Sequence, residues 1–177
     1  MLLSKLLGMV DMFKTLFRSF AVLVIVQPVV AGTAFAATAI SNMNVRISIV
    51  DECKVVTAID MDFGTTGVID ASIDETSTIS VHCTNGTPYT VGLGMGGGAG
   101  ATVAVRKMTG PSSATVDYSL YRDAAHKQVW GVTPGEDTVA GTGNGSAQTM
   151  TVYGRVPAQR TPGAGAYSDI VPITIQY

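Results

Sequence analysis

An all-β domain, specifically an immunoglobulin-like sandwich, is the fold class that the pattern of the chain predicts. Apolar residues after Ala37 recur almost everywhere with period 2, and no stretch of a dozen residues carries a helical stripe. Turn-forming pairs separate the runs: Asn85-Gly86, Gly110-Pro111, Pro134-Gly135, Asn144-Gly145 and Pro162-Gly163. Short alternating strands at this spacing fit two packed antiparallel sheets.

The first 36 of the 177 residues stand apart. Lys5, Lys14 and Arg18 form a basic n-region, Phe20 to Val30 an apolar h-region, and Ala34-Phe35-Ala36 an A-x-A cleavage site. Residues 1–36 are therefore expected to be a signal peptide cut between Ala36 and Ala37. A start at Met12 instead of Met1 gives a leader of more ordinary length and the same mature chain. A membrane anchor is disfavoured, because the apolar stretch falls short of roughly 30 Å of hydrocarbon and contains Pro28. The remaining 141 residues carry eight basic and twelve acidic side chains, a net charge of −4, which argues against a nucleic-acid partner. That length is one domain's worth and can bury a real core.

The first alternation of the mature chain is Met43, Val45, Ile47 and Ile49, interleaved with Asn42, Asn44, Arg46 and Ser48. A strand with one apolar face must bury that face, either within its own domain or in another. Four such side chains are worth roughly 6–12 kcal/mol as an upper bound. A whole domain is stable by about 5–15 kcal/mol, so whichever domain receives this strand depends on it.

Cys53 and Cys83 follow, both in the exported portion, and an oxidising compartment makes a disulfide between them the default expectation. The loop of about 30 residues is worth about 3.6 kcal/mol in the chain-entropy model. With no His at ligand spacing the pair is a poor zinc site. Further strands are expected at Ile79, Val81, Cys83; Tyr89, Val91, Leu93; Val116, Tyr118, Leu120; Met150, Val152; and Val171, Ile173, Ile175, Tyr177. The phase turns Cys83 inward with Ile79 and Val81, and His82 outward.

Chemistry-bearing motifs are scarce. Six glycines fall between Gly92 and Gly100, but no Gly-Lys-Ser/Thr follows and no helix is expected, so a flexible hairpin loop is favoured over a phosphate cradle. His82 and His126 sit in no triad or metal motif, and Asp60 and Asp62 lack the loop of a calcium site. No catalytic residue, metal site or cofactor is expected, and the chain is not expected to be an enzyme. Asn85-Gly86-Thr87 and Asn144-Gly145-Ser146 match glycosylation acceptors by letter, but type I′ hairpin turns explain them better. Tyr118 is in phase with the core. Tyr121 and Trp130 pack either between sheets or between subunits.

Several stretches, in this order and behind a leader, carry a resemblance that spans essentially the whole mature chain. They are the Cys53 region, Asp62-Phe63-Gly64, Ile79-Ser80-Val81-His82-Cys83, Arg106-Lys107-Met108, Tyr118 to Asp123 with Trp130-Gly131, Val152 to Pro157, and Gly165 to Asp169 leading into the last strand. Together they resemble the spore coat protein U domain family, whose members include subunits of archaic (Csu-type) chaperone-usher pili. The resemblance implies an incomplete sandwich that lacks its last strand and is completed by donor-strand exchange. It implies, as partners, neighbouring pilus subunits, a periplasmic chaperone and an outer-membrane usher, and, as location, export through the periplasm to a surface fimbrium. Residues 37–50 then form the donor extension, with Met43, Val45, Ile47 and Ile49 filling a groove. Residues 51–177 form the sandwich, with Val171, Ile173, Ile175 and Tyr177 on the receiving edge. The function implied is that of a pilus subunit serving surface attachment and biofilm formation. The alternatives are a self-complemented coat-like surface protein and a single-domain tip or binding subunit. Pro172 interrupts the receiving edge: either the ladder begins after it, or one bond is absent there.

Overall fold

The computed structural model describes residues 35–177, so the expected leader lies outside the described residues except for Phe35 and Ala36. The chain divides after Val45 into two units. In the first, residues 35–45 are exposed and belong to no helix or strand. The second, 46–177, holds β1 (Cys53–Ala58), β2 (Ile73–Cys83), β3 (Pro88–Leu93), β4 (Arg106–Thr109), β5 (Thr115–Tyr121), β6 (Val139–Thr142), β7 (Ala147–Val156) and β8 (Ile173–Gln176), with a short 3-10 turn at Pro111–Ser113.

One sheet has the order β1-β2-β7-β5-β4 and the other β6-β3-β8, and all pairings are antiparallel. Period-2 alternation places Ile79, Val81 and Cys83 of β2, Val116, Tyr118 and Leu120 of β5 and Val152 of β7 in one buried cluster with Tyr89, Val91 and Leu93 of β3. Trp130, fully buried, donates its indole N–H to the Val91 carbonyl at 2.8 Å, so it packs inside the domain. Tyr121 is half-buried and meets His126 edge-on, with ring centroids 5.1 Å apart.

The two Asn-Gly turns differ from the expected hairpins. Asn85-Gly86 carries the chain from β2 to β3 and Asn144-Gly145 from β6 to β7, so each crosses between sheets. Gly86 (φ 88°) and Gly145 (φ 74°) have positive φ but neither asparagine does, whereas a type I′ turn needs it at both central residues. The crossovers bond to one another, Gly86 N–H to the Gly143 carbonyl and Gly143 N–H to the Thr87 carbonyl, both at 2.8 Å. This crossover end of the sandwich also holds the Cys53–Cys83 disulfide, which joins the start of β1 to the end of β2. The end of β8 lies there too, since Gln176 is opposite Thr90. From this end β1 runs toward the far end of the sandwich, and β8 returns.

The glycine-rich segment is also not the loose hairpin expected. Gly97 N–H donates to the Asp169 carboxylate at 2.7 Å, and a Cβ on Gly96 (φ +82°) would stand 1.9 Å from the same carboxylate. Arg106, fully buried at the start of β4, donates to the carbonyls of Leu93, Gly94, Val103 and Trp130 at 2.7–2.9 Å. The guanidinium thus joins the two sheets through main-chain oxygens that would otherwise be buried without donors.

Candidate functional site

Because the second sheet has three strands against five, part of the larger sheet's inner face lacks a partner strand. A groove of about 540 Å³ opens there. Ile79, Leu93, Leu120 and Val152 form its floor, Ile59 and Met61 one wall, and Val171 and Ile173 the other. A second cavity of about 690 Å³ continues toward the far end, lined by Phe63, Ile69, Val116, Val156 and Tyr167. The two meet at Met61, Phe63, Met108 and Tyr167. Gly154 of β7 makes room for this junction, since a Cβ there would lie 2.1 Å from the Met61 sulfur and 2.9 Å from the Phe63 ring. Between the two edges, β1 and β8 approach within 8 Å between Cα atoms.

The wall formed by Val171 and Ile173 is a sheet edge, and the opposite wall follows directly on the edge strand β1. β1 pairs only with β2, and β8 only with β3. The Pro172 carbonyl accepts from Gly94 N–H at 2.8 Å, so residue 172 points its main-chain groups at β3. Alternation then turns residues 174 and 176 the same way, and the N–H and C=O groups of Val171, Ile173, Ile175 and Tyr177 toward the open edge. The missing proline N–H therefore falls on the occupied side. The Gly94 carbonyl, which that N–H would have met, accepts from Arg106 Nε at 2.8 Å instead. The free edge is uninterrupted by Pro172.

One polar pair lines the floor of this apolar groove. Tyr118 donates its hydroxyl to Asp169 at 2.7 Å, and Asp169 also accepts from Gly97 N–H and Ile170 N–H. Burial, followed by the bond to Asp169, pushes the Tyr118 phenol well above its ordinary range. Among the described residues no group of three or more His, Cys, Asp or Glu is arranged to hold a metal ion.

The residues expected from the sequence are only partly brought together. Val171 and Ile173 line the groove, Ile175 is half-buried beside them, and Tyr177 is 61 % exposed. Met43, Val45, Ile47 and Ile49 are 73–86 % exposed and belong to no strand. The chain is anchored just after them: the Thr84 hydroxyl donates to the Val50 carbonyl at 3.0 Å, and the Thr87 hydroxyl to the Asp51 carboxylate at 2.7 Å. Ala36 and Ala37 are exposed without secondary structure. Sequence pattern alone missed Ile59, Met61, Phe63, Met108 and Tyr167 as groove residues, because they lie outside the alternating runs. Asp62-Phe63-Gly64 and the stretch from Gly165 were marked only by resemblance.

The Spore Coat Protein U domain model matches residues 39–174. The chain belongs to the Spore Coat Protein U domain family. A member, Protein U of Myxococcus xanthus, is 30 % identical over 158 residues, covering 81 % of this chain and 88 % of that protein. Among solved structures, the fold is similar to one in the pre-assembly complex of the chaperone CsuC with the tip adhesion subunit CsuE, from archaic chaperone-usher Csu pili of Acinetobacter baumannii. The TM-score is 0.52 at 21 % identity, over 73 % of this chain and 40 % of that one. This Spore Coat Protein U domain thus spans less than half the length of the solved chain it matches.

Proposed function

We propose that this chain is a non-enzymatic structural subunit of an archaic chaperone-usher pilus, in which residues 37–50 of one copy complete the sandwich of the next. The observation that carries this is the unpaired β8 edge beside an apolar groove, in a chain whose own apolar strand sequence is exposed. Strand addition to such an edge draws affinity from main-chain bonds and selectivity from alternate side chains. A periplasmic chaperone fills the groove first, and exchange at an outer-membrane usher delivers the polymer to the cell surface, where it serves attachment and biofilm formation.

Geometry favours donation between copies over self-insertion. Every pairing in the domain is antiparallel, so the added strand runs antiparallel to β8, from the crossover end to the far end. Were the chain's own extension to do this, Ile49 would lie at the far end and Cys53 at the crossover end, about 20 Å away. Four residue steps span at most about 14 Å. Val50 and Asp51 are, besides, already held at the crossover end by Thr84 and Thr87.

The test is thermal unfolding of the oxidised domain lacking residues 37–50, with and without a peptide of those residues and with an Ile47→Asp peptide as control. Strand donation predicts an unstable or aggregating truncated domain that gains a large melting increment from the native peptide alone. A stable monomer indifferent to the peptide identifies a self-contained surface protein instead.

A further inference from the structure

We infer that Met61 and Met108 form an oxidation site that decides whether the groove can be filled: in the empty groove their thioethers are open to peroxide, and their sulfoxides turn the incoming strand away. The inference rests on the strand-donation reading and concerns what can stop the strand from adding. Five methionines follow Ala37, namely Met43, Met61, Met95, Met108 and Met150. Met61 and Met108 are half-buried and line both cavities, at the junction where these meet. An aliphatic side chain would serve equally well as an apolar wall there, but a thioether is the apolar group that a mild peroxide makes polar. The Cys53–Cys83 disulfide belongs to an oxidising compartment, so the unfilled groove waits for its strand where thioethers meet oxidants.

The step is an oxygen transfer. The methionine sulfur attacks one oxygen of hydrogen peroxide, and the O–O bond breaks as the S–O bond forms. The departing hydroxide takes the proton left on the transferred oxygen and leaves as water, so the thioether loses two electrons and the peroxide gains them. The surroundings of Met61 offer the new oxygen no partner. Its sulfur lies over Gly154, 2.1 Å from where a Cβ would stand, with the Phe63 ring beside it. The two buried hydroxyls of the groove are already committed, Tyr118's to Asp169 and Ser77's to the Ile59 carbonyl. A sulfoxide oxygen turned to the floor is therefore buried without a donor, and one turned to the lumen keeps its water only while the groove is empty. The strand that would cover it presents Met43, Val45, Ile47 and Ile49, which bring no side-chain donor. Filling the groove loses favour in either case. Once the strand is in place, the same two thioethers lie beneath it and peroxide no longer reaches them freely.

The test uses the full chain after its leader, carrying Met43→Leu so that the donor strand itself is not oxidised, with Met95, 54 % exposed, as internal reference. Freshly refolded monomers with the disulfide intact, and assembled oligomers, are treated with hydrogen peroxide, quenched with catalase and read methionine by methionine by mass spectrometry. In the monomer Met61 and Met108 are expected to oxidise at a rate comparable to Met95, and in the oligomer several-fold more slowly while Met95 is unchanged. Peroxide-treated monomers are expected to assemble several-fold less by size-exclusion chromatography, and methionine sulfoxide reductases to restore assembly. Met61→Leu with Met108→Leu, a nearly volume-conserving pair, is expected to assemble equally well with and without peroxide. The reductase arm reads the same point without a substitution. Thioethers at 61 and 108 that resist peroxide in the monomer, sulfoxides there that leave assembly unchanged, or a loss that reductase does not reverse overturn the oxidation site and leave strand donation standing. An untreated chain that remains monomeric overturns both.

Discussion

Arg106 shows how much a single side chain can decide. Its four main-chain acceptors belong to the end of β3, the connection before β4 and the segment around Trp130, so its loss leaves several buried carbonyls without donors. Each unsatisfied group costs about 1–3 kcal/mol. Arg106→Met is therefore expected to lower stability by at least about 3 kcal/mol in urea unfolding, and Arg106→Lys to recover only part of it, since an ammonium cannot span the same fork. Gly96→Ala is expected to cost about 1–3 kcal/mol in the same assay, from the positive φ and the Asp169 contact. Tyr118 gives a pH signature. Its folded pKa lies above the unfolded value of about 10, so its contribution is complete below that pH and is lost as pH rises through the raised value. Comparing urea midpoints at about pH 8 and about pH 10.5, Tyr118→Phe should start lower, because Asp169 loses a donor, and should decline less steeply. None of these roles was legible in the sequence. An arginine opening a short strand ordinarily reads as solvated, and a run of glycines as slack, until a chain partner more than 70 residues away, Asp169 for Gly97, supplies the reason for them.

At the scale of elements, the legible strands were those whose faces differ. The alternations in β2, β3, β5 and β7 were readable because one face of each enters a shared core. β1 was not, because only Cys53 among its six residues is buried and its pairing slips between Val55 and Thr57. β4 and β6 are four residues each, too short to show a period. The groove wall from Ile59 to Phe63 is not a strand at all, so periodicity could not mark it. Pro172 was legible as an irregularity, but which edge it faced depends on the β3 register. That register makes a further prediction about the donor. Residues opposite Val171, Ile173, Ile175 and Tyr177 direct their N–H groups at β8, and these are the groove-filling residues themselves. A peptide of residues 37–50 N-methylated at Val45 or Ile47 should lose most of its stabilising effect on the truncated domain, whereas N-methylation at Asn44 should leave the β8 ladder intact and much of the effect in place. Equal losses at both phases would place the strand in the wrong register or direction.

At the largest scale, residues 46–177 form a sandwich in which the end of β8 and the anchored residues Val50 and Asp51 before β1 lie at the same end, with the groove between β8 and the segment that follows β1. This arrangement separates two ways of attaching one strand. Residues 37–50 attached ahead of β1 cannot run antiparallel to β8 in their own groove, for want of chain. The same residues attached behind Tyr177 through a short Asn-Gly turn begin at the crossover end and run toward the far end as the second arm of a hairpin. A chain in which residues 37–50 are moved to follow Tyr177 should accordingly be a monomer and should not add further copies. Even a third of the roughly 6–12 kcal/mol upper bound for burying Met43, Val45, Ile47 and Ile49 amounts to a few kcal/mol. For a domain of this size that raises the melting temperature on the order of 10 °C over the truncated domain. Size-exclusion chromatography and calorimetry of the rearranged chain read both quantities. A chain that still forms multimers, or melts no higher than the truncated domain, would show that the strand completing this groove runs the other way or comes from elsewhere. The same rearrangement with Ile47→Asp separates groove filling from mere tethering, since the tether is unchanged while one pocket must take a carboxylate away from water.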